Sequence, residues 1–344
     1  DAAFAKTARA AIAGLHGGDE KWKDLWQQIV EQSRKHYTQI YSELSVTLTE
    51  EDERGESAFR GELLNVVENL KNIGIAAVSD GAVCVFPEGF KTKDDTPMPF
   101  IVQKSDGAFL YATTDLAAMR YRVQRLKADK IIYVTDARQM LHFQLLFAVA
   151  KAAGFAKPDT ELVHVTFGTM LGDDGKPFKT RSGDTVKLKD LLAEAVEKAY
   201  DVVNEKNPQL DEDTKRSIAR AVGIGAVKYS DYSNNRTTDY VFSFDKMLAM
   251  EGNTAPYMQY ACARVNSIER KAAEKGINVE AEISQLKELS LTLPQELDLA
   301  VHITKYAQNL ESAAADYKPN FITSYLYELA QKFSTFYTLC PVLT

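Results

Sequence analysis

Cysteine is scarce: three residues in 344, at Cys84, Cys262 and Cys340. They lie far apart and form no paired spacing. This argues against a disulfide framework and a thiolate metal site, and a reduced, intracellular protein is expected. No apolar run approaches the roughly 18 residues needed to cross a bilayer. The longest, such as LLFAVA at 145–150, fall far short, so no membrane association is expected. No signal peptide is visible, and the first residue is Asp1 rather than Met, so a native N-terminus that is absent or processed is expected. The P-loop pattern GxxxxGK[ST] is missing. The five histidines (His16, His36, His142, His164 and His302) include no pair at ligand spacing. Each reads as an ordinary core or surface histidine. No nucleophile arrangement is recognisable, and no metal site is expected. A net positive charge is lacking too. The balance of −7 argues against indiscriminate polyanion binding, although a local basic surface is what a nucleic-acid partner needs.

What is present is an ordinary globular composition, 45% apolar and 26% charged, long enough for two or three domains. Residues 1–17 read as a short helical piece. Trp22, Leu25, Trp26, Ile29 and Val30, then Tyr37, Ile40, Tyr41 and Leu44, recur at helical spacing and predict a core-facing helix. VTLT at 46–49 looks like a strand, and a helix follows over 60–73. Over 82–111 the period switches to two, which suggests a small β insert with strands AVCVF, PFIVQ and AFLYA. From 115 helices alternate with fully apolar strands, IIYVT at 131–135 and ELVHVTF at 161–167. That pattern indicates a parallel sheet covered on both faces. After a Gly/Lys-rich loop the chain reads as helices: 188–204, 211–231, 245–275, 284–290, 294–316 and 320–338. The expected organisation is α/β. Residues 1–167 form part of a Rossmann-like catalytic domain with an insert at 82–111, and 168–244 form a loop and helical connection. An all-α bundle spans 245–344.

Three constellations could carry chemistry. The loop at 168–187 sets Lys176, Lys179, Arg181 and Lys187 beside Gly168, Gly172, Gly175 and Gly183. Glycines admit a ligand close to the backbone and the cations suit phosphate oxygens. The loop follows a parallel strand, at the edge where doubly wound sheets bind ligands. A solvated loop with some lysines is the bland alternative. In YATTD at 111–115 a strand is expected to end at Tyr111, with Thr113 or Thr114 capping the next helix and Asp115 in its first turn. There the carboxylate could simply answer the helix dipole. Thr254 and Pro256 open a further helix on which Tyr257, Tyr260 and Arg264 share one face, while Met258, Cys262 and Val265 mark an apolar one. Aromatics beside arginine suit stacking on unpaired bases. Tyrosines half-buried between helices are the alternative.

These residues resemble the arginyl-tRNA synthetases of class I, bacterial type. FKTRS at 178–182 looks like their divergent KMSKS loop, with Arg181 where the pattern has lysine and Thr180 and Ser182 at the two serine positions. The arginine keeps the charge and alters the geometry. Tyr111 and Asp115 match the family positions that contact the arginine side chain, Gln139 matches a third and Glu56, in RGES, a looser fourth. EGNTAPYMQYACAR at 251–264 resembles the entry to the DALR-type anticodon-binding domain, where the two tyrosines and the arginine face the anticodon loop. Residues 221–248 look like the segment joining the two domains.

The resemblance runs in order from about residue 20 to the end. No HxGH occurs, so the HIGH-type sequence of the family is expected before Asp1, together with the first half of the nucleotide fold. The last anticodon-domain helices are expected beyond Thr344. A fragment of this kind is expected to be inactive alone and to expose apolar sheet edge and face.

The implied activity is ligation of L-arginine to tRNA(Arg) through an arginyl-adenylate, with ATP as substrate and Mg2+ arriving with it. Gly168, Met170, Lys176, Lys179, Thr180, Arg181 and Ser182 would serve ATP. Tyr111, Asp115, Gln139 and Glu56 would select arginine, and Tyr257, Tyr260 and Arg264 would meet the anticodon loop. In this family arginine activation generally needs bound tRNA. A cytoplasmic monomer is expected. The alternatives are another class I synthetase, such as the cysteine enzyme, or a catalytically inert RNA-binding module derived from a synthetase.

Overall fold

A computed structural model describes residues 2–172, 174–177 and 186–343. Two helices open the chain, α1 (Ala2–Gly17) and α2 (Glu20–Glu43). The Asp19 side chain accepts from the Lys21 N–H at 2.9 Å and caps α2. Lys228 Nζ donates to Leu44 O at 2.6 Å and closes its far end. The apolar stripe on α2 is real, but it is not the core face that its period suggests. No residue of α2 is buried, Ile29 is 66% exposed, and only Ile40 and the following Leu44 join a core. The segment 46–49, expected as a strand, pairs with no other strand and leads into a 3-10 turn at Glu50–Asp52.

A 3-10 helix at Glu56–Glu62 runs into α3 (Leu63–Asn72). Three antiparallel strands follow in the order β1 (Ala76–Ser79), β2 (Ala82–Val85), β3 (Phe100–Gln103). The insert thus begins one strand earlier than its period suggests. Asp80 and Gly81 have φ of 48° and 79° and join β1 to β2, the Asp-Gly geometry that suits a two-residue hairpin. The third expected strand, AFLYA, forms only an isolated bridge from Phe109 to Gln103. Helix α4 (Tyr111–Gln124) starts at Tyr111 instead. Its Ala112, Thr113, Leu116 and Met119 are buried, so helical burial outweighs the short alternating pattern.

Strand β4 (Lys130–Asp136), α5 (Met140–Ala152) and β5 (Glu161–Phe167) form a βαβ unit. The two strands pair in parallel from Lys130–Glu161 to Asp136–Phe167. One face of β4 is covered, with Ile131 buried beside Phe143 and Leu146 of α5. The other is not: Ile132 is 43% and Val134 62% exposed. Coverage of both faces therefore does not hold among the described residues.

His164 of β5 is hydrogen-bonded to Thr135 Oγ1 at 2.7 Å and faces the Phe143 ring. Burial holds its pKa below the ordinary 6.5. The unfolded chain therefore takes up the proton first as pH falls. Stability contributed by neutral His164 is complete above pH 6.5 and is lost below it. His164→Asn should flatten that slope, read as Tm from about pH 7.5 to about 5.5.

The second core joins α6 (Leu188–Lys206) and α7 (Glu212–Ser233) with a small parallel pair, β6 (Met170–Leu171) and β7 (Tyr240–Val241). Helix α8 (Phe244–Met247) adds Met247 to it, and α9 (Ala255–Glu274) adds Ala255. The expected helix over 245–275 is thus two, broken before the Thr254 cap. The segment expected at 284–290 is instead α10 (Val279–Gln285), capped by Asn278. Residues 294–316 divide into α11 (Pro294–Thr304) and α12 (Tyr306–Asp316), and α13 (Asn320–Leu339) ends the bundle. The Tyr229 hydroxyl of α7 lies 2.6 Å from Asn253 Oδ1 and 3.0 Å from Thr323 O of α13. Burial there pushes its pKa up to about 12.

Candidate active site and nucleic-acid interface

Strands β4 and β5 deliver the chain to the edge where parallel sheets hold ligands. Asp136 ends β4 and accepts from the Arg138 backbone N–H and guanidinium at 2.8–2.9 Å, which lowers its pKa to about 2. This closed pair shapes the 3-10 turn at Ala137–Gln139, from which α5 begins. His142 in the first turn of α5 points back to α4. Its Nε2 lies 2.7 Å from Asp115 Oδ2. Asp115 stands in the second turn of α4, not the first, because the helix starts at Tyr111. Neither threonine caps α4. Thr113 turns inward and donates to Val102 O, and Leu110 holds the cap position without a side-chain bond.

Tyr111 and Asp115 are four apart and share one helix face. The Tyr111 ring centroid lies 4.9 Å from that of His142. Phe100 and Phe143 flank the same imidazole at 5.9 and 5.3 Å. The ring is therefore packed from three sides, and its Nε2–H tautomer donates to the carboxylate. Asp115 is left a second oxygen on the helix face it shares with the exposed Tyr111. A carboxylate oriented in this way can receive a planar cationic group.

The remaining sequence candidates are placed separately. Gln139 is exposed, three residues before His142 on the approach to α5. Glu56 is exposed at the start of its 3-10 helix, which packs on the later turns of α4 through Phe59 against Tyr121 and Glu62 with Arg120. Neither Gln139 nor Glu56 has a hydrogen bond to Tyr111, Asp115 or His142. His142 itself was not expected. The one signal for it in the sequence is its i, i+3 spacing from Gln139.

Gly168 and Met170 begin the loop after β5. Gly168 N donates to Arg236 O at 2.6 Å, and Met170 pairs with Tyr240 while packing on the second core. A Cβ on Gly168 would overlap the Thr238 carbonyl. Gly168→Ala must therefore move backbone on both sides. We expect it to lower Tm by several degrees, about 2 kcal/mol, as measured by thermal unfolding. Lys176 is exposed in the turn that brings Pro177 back to Leu171. Lys179, Thr180, Arg181 and Ser182 lie outside the described residues.

On α9 the two faces are not divided as the sequence suggests. Cys262 and Val265, expected to pack, are exposed. Tyr257 and Arg264 instead meet α13. The Tyr257 ring lies edge-on to Tyr327 at 5.8 Å, and Arg264 Nη1 reaches Ser334 Oγ at 3.4 Å. The Arg264 guanidinium sits over Tyr260 at 4.7 Å and Tyr337 at 5.0 Å. Tyr260 is half-exposed, so one aromatic face with an adjacent cation is presented to solvent.

The family described as tRNA synthetases class I (R), catalytic domain, matches residues 1–244. The DALR anticodon binding domain matches residues 258–344. An arginine--tRNA ligase of Chromobacterium violaceum is 49% identical over 340 residues, 99% of this chain and 58% of the relative. One of Pseudomonas fluorescens is 50% identical over 341 residues, with the same two shares. The crystal structure of arginyl-tRNA synthetase from Plasmodium falciparum superimposes with a TM-score of 0.84 at 31% identity, over 98% of this chain and 56% of that one. The Thermus thermophilus arginyl-tRNA synthetase, at 23% identity and a TM-score of 0.67, covers 82% of this chain and 51% of its own and shares the fold. The chain thus spans less than three-fifths of the length of these relatives.

Proposed function

Because the chain belongs to the class I arginyl-tRNA synthetase family, we propose that it serves the ATP-dependent ligation of L-arginine to tRNA(Arg). The observation that carries this reading is the Asp115–His142 pair beside Tyr111 at the ligand edge of the parallel strands. The substrate guanidinium would meet the free oxygen of Asp115, with the Tyr111 hydroxyl as a neutral acceptor. His142 would hold the carboxylate in place, and Gln139 and Glu56 would complete the pocket when substrate is bound. A neutral isostere would leave the carboxylate unpaired and be rejected.

In the first step the arginine carboxylate attacks the α-phosphorus of ATP and pyrophosphate leaves. In the second, a terminal ribose hydroxyl of the tRNA attacks the acyl carbon, loses its proton and releases AMP. Lys176, Lys179, Arg181 and Ser182 would stabilise charge on the phosphates, with Thr180 in the same loop. Gly168 and Met170 would line the adenine side. Mg2+ would enter with ATP. Tyr260, with Arg264 and Tyr257 behind it, would stack on a base of the anticodon loop. Among the described residues no helix is long and apolar enough to cross a membrane. We place the reaction in the cytoplasm, on a monomer.

The test is arginine-dependent ATP–pyrophosphate exchange by the protein that carries this chain, at saturating tRNA. Exchange that requires arginine supports the reading. Absence of exchange while tRNA still binds would instead favour an inert RNA-binding module.

A further inference from the structure

The carboxylate that would meet the substrate guanidinium is already bonded to a group that can itself become a cation. His142 Nε2 lies 2.7 Å from Asp115 Oδ2, and the two side chains are only 16% and 32% exposed. Among the described residues no lysine or arginine pairs with Asp115. The second ring nitrogen of His142, Nδ1, has no hydrogen-bond partner among the described residues. With Nε2–H donating to the carboxylate, Nδ1 keeps its lone pair. It can take up a proton without breaking any protein hydrogen bond.

The neighbouring groups offer no second site of this kind. From α4 the imidazole meets Tyr111 and Asp115, and from β3 it meets Phe100. Phe143, next to it on α5, in turn touches Tyr133 of β4 and His164 of β5. The Tyr133 hydroxyl accepts from Arg122 at 3.1 Å, and burial raises its pKa, so it stays neutral. His164 is bonded to Thr135 Oγ1, and no hydrogen bond or ion pair joins it to Asp115. Asp136 and Arg138, in the turn before α5, are closed on each other.

The charge offered to a ligand therefore depends on one proton. With His142 neutral, the Asp115 carboxylate keeps a net negative charge and presents its second oxygen to a cation. With His142 protonated, the two side chains form an internal ion pair with no net charge. A guanidinium arriving then meets an imidazolium on the same carboxylate. In a partly enclosed site, two cations that share one carboxylate bind at each other's expense. By linkage, each weakens the other by the same factor.

We propose that His142, beyond holding Asp115 in place, makes arginine binding proton-linked: its neutral form leaves the carboxylate charge to the substrate, and its protonated form takes that charge for itself. This role rests on the function proposed above. It makes His142 a positioning residue whose signature is a pH profile, which a purely structural contact would not produce.

The test is the KM for arginine in ATP–pyrophosphate exchange by the protein that carries this chain, at saturating ATP and tRNA, for the unmodified protein and for His142→Gln. Glutamine keeps an amide donor for the carboxylate but cannot become charged. The unmodified protein should show an arginine KM about tenfold higher at about pH 5.5 than at about pH 8, the range over which an imidazole changes charge. In His142→Gln the KM should change by less than about twofold over the same range. Loss of folded protein at low pH lowers the rate but not KM, so acid unfolding does not imitate the effect. A flat KM in the unmodified protein, or the same rise in both proteins, overturns the proposal. Should His142→Gln not fold, calorimetry of arginine binding to the unmodified protein with tRNA at about pH 6, in two buffers of different ionisation heat, replaces it. Net release of protons is expected, and none released overturns the proposal. If the unmodified protein shows no arginine-dependent exchange at any pH, the functional reading fails and takes this role with it. If it exchanges with a flat KM, only the proton linkage fails.

Discussion

Asp115→Ala is expected to raise the KM for arginine about a hundredfold and to leave tRNA affinity within about twofold. The magnitude follows from the loss of a carboxylate that pairs with a guanidinium in a partly dry site, roughly 3 kcal/mol. The selectivity of the effect follows from placement. Asp115 is bonded to His142 on α5, and no hydrogen bond or ion pair joins it to α9 or α13, where the tRNA would bind. Asp115→Asn should be nearly as damaging, since the amide keeps the shape but not the charge. His142→Gln should be milder, because it loosens the carboxylate without removing it. Steady-state exchange kinetics at varied arginine, together with tRNA binding, decide the matter. An arginine KM unmoved by Asp115→Ala would show that the carboxylate is only a structural partner for His142.

The second large effect belongs to a helix contact. A Cβ at Gly223 would stand 2.7 Å from Ala195 O and 2.8 Å from Val196 Cα, on the neighbouring helix α6. Backbone is the obstacle on that side, so relief requires α6 and α7 to separate. Gly223→Ala should cost about 3 kcal/mol despite the better helix propensity of alanine, and thermal unfolding should show a Tm several degrees lower. Gly225→Ala provides the contrast. Its Cβ would meet the Gln259 side-chain amide at 2.8 Å, a flexible group that can turn away. Its cost should be under about 1 kcal/mol. Equal Tm for the two variants would show that α6 and α7 are not locked at Gly223.

Period was a sound guide where burial follows it, and a poor one on α2, whose stripe is not buried. The βαβ unit is the clearest case of agreement, with Ile131 buried on β4 and Leu146 and Val149 on α5. Short or conflicting segments were not readable from the sequence. The alternation in AFLYA lost to helical burial of Ala112 and Leu116, which moved the helix start to Tyr111 and Asp115 into the second turn. The 46–49 segment has strand composition but pairs with no strand among the described residues. On α9, apolar character pointed to Cys262 and Val265 as the packing side, while the actual neighbour, α13, offers tyrosines and a serine that suit Tyr257 and Arg264. Hydrophobicity alone does not identify a partner that is itself half polar. His142 was missed for a related reason. Its partner is 27 residues away in sequence, and only the crossing of α4 and α5 brings the two together.

The parallel pair also has a direction of growth. On the outer margin of β5, Thr166 O is occupied by the Arg236 guanidinium, and Gly168 N just beyond the strand is taken by the Arg236 carbonyl. A strand arriving there would have to displace a charged fork held by two further carbonyls, of Asp316 and Tyr317. Beside β4 no such guard is present among the described residues, and Ile132 and Val134 leave the adjoining face open. Among the described residues, the margin beside β4 is therefore the freer one for a further strand. A single arginine guards the C-terminal end of the other margin.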